Sequence, residues 1–121
     1  MQDFRNLKIW RKSHELTLEV YRLTKRFPYE ERFGLTRQLR KSAVSIPSNI
    51  AEGSSRRTDS DFRHFLFMAL GSLSELEYQL ILSKDLSYLT EVEFSELKGR
   101  IVEIRRMAWP FVGRLSEKST R

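Results

Sequence analysis

The side chains that could carry chemistry are scattered along this sequence rather than assembled. There are two histidines and no cysteine. His14 falls beside a basic run and His64 follows Arg63, so each reads as a surface or boundary imidazole. Glu75 and Glu77 stand two apart, which on a helix points them in different directions instead of pairing them. A phosphate-binding glycine loop, an HExxH pair and a nucleophile elbow are all missing. The ExxH pairs of a di-iron helical bundle are missing too. No catalytic residue, cofactor or metal site is therefore expected, and an enzyme is the least favoured reading. Ser45 and Asn49, one helical turn apart on either side of Pro47, form the one conspicuous polar pair. They read as residues that satisfy backbone groups freed by the proline or that fix helix packing through hydrogen bonds.

The basic residues offer a different chemistry. Arg37, Arg40 and Lys41 fall together on the outer side of one predicted helix, with Arg56 and Arg57 at its far end. Such a stripe could track a phosphate backbone, and it could equally be a solvated face. The net charge is +6 and is unevenly spread. The segments Leu7–Arg26 and Leu35–Arg57 each carry an excess of four positive charges, whereas Asp59–Asp85 carries an excess of three negative ones. An asymmetry of this kind suits head-to-side assembly or an oriented electrostatic surface. Base-specific readout is not expected, because there is no helix-turn-helix geometry and no exposed aromatic platform to be found in the pattern.

Four helices must position these groups. The first is predicted over Leu7–Lys25, with Asn6 as its cap and Trp10, Leu16, Thr17, Val20, Tyr21 and Leu23 as its buried face. Phe27-Pro28 ends it, and the short connection to Gly34 turns the second helix back against it. The second runs over Leu35–Glu52, with Leu35, Leu39, Ala43, Ile46 and Ile50 on one face bordered by Gln38, Ser42, Ser45 and Asn49. Pro47 is expected to kink this helix, since it lacks the N–H that would meet the carbonyl of Ala43. Gly53 is expected to supply a left-handed stop.

Thr58 and Asp61 form a weak capping box for a third helix over Asp59–Lys84. Its seam of Phe62, Leu66, Ala69, Leu73, Leu76 and Leu80 faces the core. Phe67, Leu70, Ser74, Tyr78 and Ile81 form a second seam, so more of the circumference is apolar than one core requires. Phe67, Leu70, Tyr78 and Ile81 are accordingly assigned to a subunit interface, the alternative being a central helix covered by its own neighbours. Thr90 and Glu93 box the start of a fourth helix over Glu91–Leu115, whose apolar residues alternate three and four apart from Phe94 to Leu115. Pro110 is expected to bend it or end it early near Trp109, and the tail Ser116 to Arg121 is expected to fray.

The segment QLRKSAVSIPSNIAEG, Gln38 to Gly53, closely resembles the signature of a bacterial four-helix-bundle family. That family is known for reading frames in intervening sequences of 23S ribosomal RNA genes. The likeness includes DFRNLKIW at Asp3 to Trp10, Phe27-Pro28, Phe62, Phe65, Leu66 and the AxGSLxE run at Ala69 to Glu75. It implies an all-α, antiparallel up-and-down four-helix bundle that assembles as a homopentamer. A related branch serves reverse transcriptases of diversity-generating retroelements as an accessory factor, which implies nucleic acid and a polymerase or ribonucleoprotein as partners.

Composition bounds the same picture. At 121 residues the chain is expected to form one domain over 1–121, burying about two-thirds of its unfolded surface. Its 40% hydrophobic and 31% charged residues are ordinary for a soluble helical domain. No apolar run approaches the roughly 20 residues of a membrane span, and the N-terminus lacks a signal-peptide pattern. With no cysteine, a cytoplasmic location is expected. Two functions stay open: a nonenzymatic oligomeric accessory protein that binds RNA or DNA without sequence specificity, and a protein-binding or structural scaffold with no nucleic-acid role.

Overall fold

The structure, a computed structural model, describes residues 3–115. Four helices, α1 (Lys8–Thr24), α2 (Leu35–Ser54), α3 (Asp59–Asp85) and α4 (Glu91–Arg114), are accompanied by short 3-10 turns at Phe4–Asn6 and Tyr29–Glu31. Among the described residues there is no strand. The expected helix bounds hold to within two residues. The frayed tail predicted for Ser116 to Arg121 lies outside the described residues.

Pairs across the helices fix an antiparallel, up-and-down order. Thr17 meets Ala43 between α1 and α2, and Ser42 and Ser45 meet Glu75 and Ser72 between α2 and α3. Between α3 and α4, Glu77 accepts from Arg105 at 2.8 Å, and Lys84 pairs with Glu91. Lys12 pairs with Glu103 and Arg26 with Glu93, closing α4 back onto α1. In each case a rising number on one helix meets a falling number on the next.

The core is the predicted one. The seam Phe62, Leu66, Ala69, Leu73, Leu76 and Leu80 of α3 is buried with Leu39, Ala43, Ile46 and Ile50 of α2 and Leu97, Ile101 and Ile104 of α4. On α1, Ile9 joins Leu16, Val20 and Leu23, while Tyr21 is 38% exposed and Trp10 is only half-buried. Tyr21 therefore leaves the buried face assigned to it. α3 is long and apolar enough to span a bilayer by length and composition, contrary to the expectation from its sequence, yet its core seam faces the other helices.

Three local expectations are corrected. Asn6 does not cap α1; it lies in the 3-10 turn that Asp3 caps through the Arg5 amide, and α1 enters at Leu7 without a side-chain cap. Gly53 is not a left-handed stop, since no described glycine has positive φ and α2 continues to Ser54. A Cβ at Gly53 would lie 2.8 Å from Phe65 Cβ and 2.9 Å from Phe62 Cδ1, so the glycine is there to let α2 approach α3. Pro47 does not end α2, which runs on through it as the apolar pattern predicts. The Thr17 hydroxyl lies 3.0 Å from the stranded Ala43 carbonyl and 2.9 Å from the Ser13 carbonyl, so its one proton serves both. Likewise α4 continues through Pro110 to Arg114 rather than ending near Trp109.

The caps predicted at Thr58 and Thr90 form. Thr58 Oγ1 accepts from the Asp61 amide at 3.1 Å, and Thr90 and Glu93 make the reciprocal capping box of α4. The stop of α3 was not foreseen. Ser87 takes φ 66°, with Tyr88 N–H on the Ser83 carbonyl and Ser87 N–H on the Lys84 carbonyl, the paired bonds of a Schellman ending with serine in place of glycine.

Candidate nucleic-acid interface

The polar border of α2 divides between a bonded part and an open part. On the bonded side, Ser42 Oγ donates to Glu75 Oε1 at 2.6 Å, and Ser45 Oγ lies 2.7 Å from Ser72 Oγ. Asn49 Nδ2 donates to the Ser45 carbonyl at 2.8 Å. Ser45 thus fixes packing against α3, one of the two structural roles expected for the pair, and Asn49 supports it from within α2; the carbonyl stranded by Pro47 is served from α1 instead. His14 and His64 are both exposed, with His14 stacked on Trp10.

The open side holds the basic residues. Arg37, Arg40 and Lys41 line an open groove of ≈ 500 Å³ between α1 and the start of α2, together with Tyr21 and Arg32. Arg40 is the most constrained of them: its Nε donates to Thr24 Oγ1 at 2.9 Å and its guanidinium lies 4.5 Å from the Tyr21 ring centroid. Arg37 and Lys41 are exposed. Arg56 and Arg57, both exposed, sit at the other end of α2, about 30 Å away along the axis at 1.5 Å per residue. Arg56 also pairs with Glu52 at 3.6 Å and lies over Phe65. Three of the five predicted phosphate-binding residues therefore converge and two stand apart.

Sequence reasoning missed Arg32, Tyr29 and Phe33. The stretch YEERFG was read only as a connection, and no aromatic platform was expected. In the structure Tyr29 is 77% and Phe33 65% exposed. The Arg32 guanidinium lies 3.6 Å from the Tyr29 ring centroid and 4.7 Å from that of Phe33, and Arg37 lies 5.1 Å from Phe33. Arg32 Nη1 also donates to the Tyr29 carbonyl at 3.0 Å. Glu31 anchors this corner, accepting from the Leu35 amide at 3.1 Å and from the Tyr88 hydroxyl at 2.9 Å. That hydrogen bond to Glu31 holds Tyr88 in its protonated form and raises its pKa above the ordinary phenol value. The available signal was the alternation of aromatic and basic residues in Tyr29-x-x-Arg32-Phe33-x-x-x-Arg37, which the short-loop reading passed over.

Three of the four residues assigned to a subunit interface reach the surface. Phe67, Tyr78 and Ile81 are 43%, 62% and 37% exposed, but Leu70 is only 9% exposed and belongs to the core. Leu70 is withdrawn because α3 turns that position toward its neighbours. Trp109 of α4, 53% exposed, joins the surface through an edge contact with Phe67 at 6.1 Å. On the α1–α2 side, Phe4, Trp10, Leu18, Val44 and Pro47 line an apolar groove of ≈ 520 Å³.

The family model for the 23S rRNA-intervening sequence protein matches residues 5–109. Among solved structures, the chain is similar to a protein with unknown function from the S23 ribosomal protein family of Bacteroides thetaiotaomicron, whose crystal structure extends to 1.70 Å resolution. The two share 27% sequence identity with a TM-score of 0.80, over 86% of this chain and 97% of that one. No curated protein matches this sequence.

Proposed function

We propose that this chain, which belongs to the 23S rRNA-intervening sequence protein family, is a nonenzymatic, oligomeric accessory protein that binds the backbone of RNA or DNA without reading sequence. The observation that carries this reading is the convergence of Arg32, Arg37, Arg40 and Lys41 on one open groove. Four cations brought together from one helix and the turn before it form a local anion trap, and charge contacts of this kind position a backbone without distinguishing bases. Association of several chains would multiply the contacts along a polyanion, so weak binding by each subunit is enough.

Self-association has its own support. Phe67, Tyr78, Ile81 and Trp109 leave apolar surface in water on one side of the bundle, and the α1–α2 groove offers an apolar recess on the other. Two different surfaces favour a head-to-tail contact, which gives a ring where the rotation between subunits closes; the pentamer implied by the family likeness is such a ring. Light scattering at micromolar concentration tests it, and a monomer there removes the oligomeric part of the proposal.

A fluorescence-anisotropy titration across salt tests the nucleic-acid part. The informative variant is Arg37→Gln with Lys41→Gln, because Arg40 is also held by Thr24 and Tyr21 and its loss would disturb packing. Removal of two phosphate contacts is expected to flatten the log–log salt slope by about 1.4 to 1.8 per subunit engaged. Failure of the unmodified protein to bind RNA or DNA at low salt, or an unchanged slope in the variant, returns the groove to a solvated face. The protein-scaffold reading then takes its place.

A further inference from the structure

We infer that the corner formed by Tyr29, Arg32 and Phe33 makes the groove selective for single-stranded over duplex nucleic acid by stacking unpaired bases. The inference rests on the nucleic-acid reading of the same groove and adds the class of strand it accepts. Two large aromatic side chains, 77% and 65% exposed, stand at the head of a groove lined by Arg32, Arg37, Arg40 and Lys41. Rings left in water at the edge of a cationic channel are the arrangement that single strands require, because phosphates follow the cations while each base offers a π-face to the ring. Duplex bases are already stacked on one another and cannot use it.

The corner is organised before any ligand arrives. Arg32 covers one side of Tyr29 at 3.6 Å, and its bond to the Tyr29 carbonyl holds it there. With most of its surface still open, Tyr29 keeps a ring face for a base, and the guanidinium plane beside it can meet either a second base or the adjoining phosphate. Phe33 lies within reach of both Arg32 and Arg37, so stacking and charge contacts are interleaved along the strand. Glu31, bonded to the Leu35 amide and Tyr88, fixes the turn that presents both rings. The carboxylates of Glu30 and Glu31 share this turn, and would repel a phosphate placed on their side, which directs the backbone toward the cations of the groove.

Anisotropy with a labelled single strand and with the duplex of the same sequence, at one fixed salt concentration, tests the inference. The single strand is expected to bind about ten-fold more tightly, and Tyr29→Leu with Phe33→Leu to weaken single-strand binding more than duplex binding and so abolish that preference. Tyr29→Phe with Phe33→Tyr should restore the preference. Because Arg32 leans on these rings, a second readout avoids variants altogether: 2-aminopurine placed in the single strand should be quenched on binding to the unmodified protein. Equal affinity for the two strands, or binding without quenching, overturns the stacking inference and leaves the backbone-binding proposal standing. Binding to neither overturns both.

Discussion

Lys41 and Ser42 are consecutive on α2, and the helix treats them differently. Ser42 is 2% exposed and donates to Glu75 on α3, whereas Lys41 stands in the open groove facing α1 and the Tyr29 corner. The same division runs along the helix: Ser45 and Gly53 are taken up by packing against α3, Asn49 is bonded back onto Ser45, and Arg37 is exposed. The segment that carries the strongest family likeness is therefore two things interleaved. One set of residues lets two helices approach closely with their polar atoms satisfied, and the other remains available to a ligand. Substitutions on the bonded face should change stability, and those on the open face should change binding.

The largest stability effect is expected at Gly53. In an exposed helix, replacing glycine by a residue with a side chain gains up to about 1 kcal/mol. Here the new Cβ would meet Phe65 Cβ, an atom fixed to the backbone of α3 that no rotamer change can move aside. Gly53→Val is expected to cost about 3 kcal/mol by urea denaturation. A neutral or stabilising result would mean that α2 and α3 are free to separate, and the bonded face would lose its claim to set their spacing.

Next comes the carbonyl that Pro47 strands. Thr17→Val preserves shape and removes the hydroxyl that serves Ala43, with an expected loss of about 2 kcal/mol. Pro47→Ala returns an N–H to the same carbonyl, so Thr17→Val should cost about 1 kcal/mol less in that background. Costs that simply add would show that the Thr17 hydroxyl mainly serves Ser13, its other acceptor.

These two sites also show where the sequence was legible. The period of apolar residues is a one-dimensional trace of burial, so Phe62, Leu66, Leu73, Leu97 and Ile101 could be placed in the core from spacing alone. Caps are local, and Thr58 and Thr90 were readable for the same reason. Gly53 was misread and the relief of Pro47 was missed because their consequences lie on other helices: Phe65 on α3 explains the glycine, and Thr17 on α1 relieves the proline. Leu70 and Tyr21 exchanged places with expectation because each lies at the margin of its apolar stripe, where the angle of a neighbouring helix decides exposure. The groove was half legible. Arg37, Arg40 and Lys41 share a helix face, but Arg32, Tyr29 and Phe33 join them only through the way the turn folds.

A smaller effect is expected at the far pole, where a bonded contact lies near the surface. Glu93 Oε1 accepts from Arg26 at 2.7 Å and from the Thr90 amide at 3.0 Å, and these bonds lower its pKa from 4.5 to about 2. A carboxylate whose pKa is lower when folded stabilises the protein above the unfolded value, and that stability is lost as pH falls from about 4.5 to about 2. Glu93→Gln is expected to cost about 1 kcal/mol at neutral pH, limited by solvent screening of the pair. The difference between the two proteins should shrink below pH 4.5, as measured by thermal melts at successive pH values. An unchanged difference in acid would place the effect in the cap geometry rather than the charge.

The smallest stability change is expected on the open face, and it sharpens the contrast most. No hydrogen bond or ion pair joins the Arg37 or Lys41 side chain to another described residue, and Arg37 lies beside the exposed Phe33 ring. Their replacement by glutamine should alter unfolding free energy by no more than about 0.5 kcal/mol, the ordinary range for surface sites. Removing two neighbouring positive charges from a chain of net charge +6 also relieves some self-repulsion, which offsets part of any loss within that range. Arg40→Gln supplies the internal contrast, since it breaks the bond to Thr24 and the stack on Tyr21 and should destabilise by about 1 kcal/mol. If Arg37→Gln with Lys41→Gln proves as costly as Arg40→Gln, the groove is part of the packing between α1 and α2, and the division of α2 into a bonded and an open face fails at its simplest point.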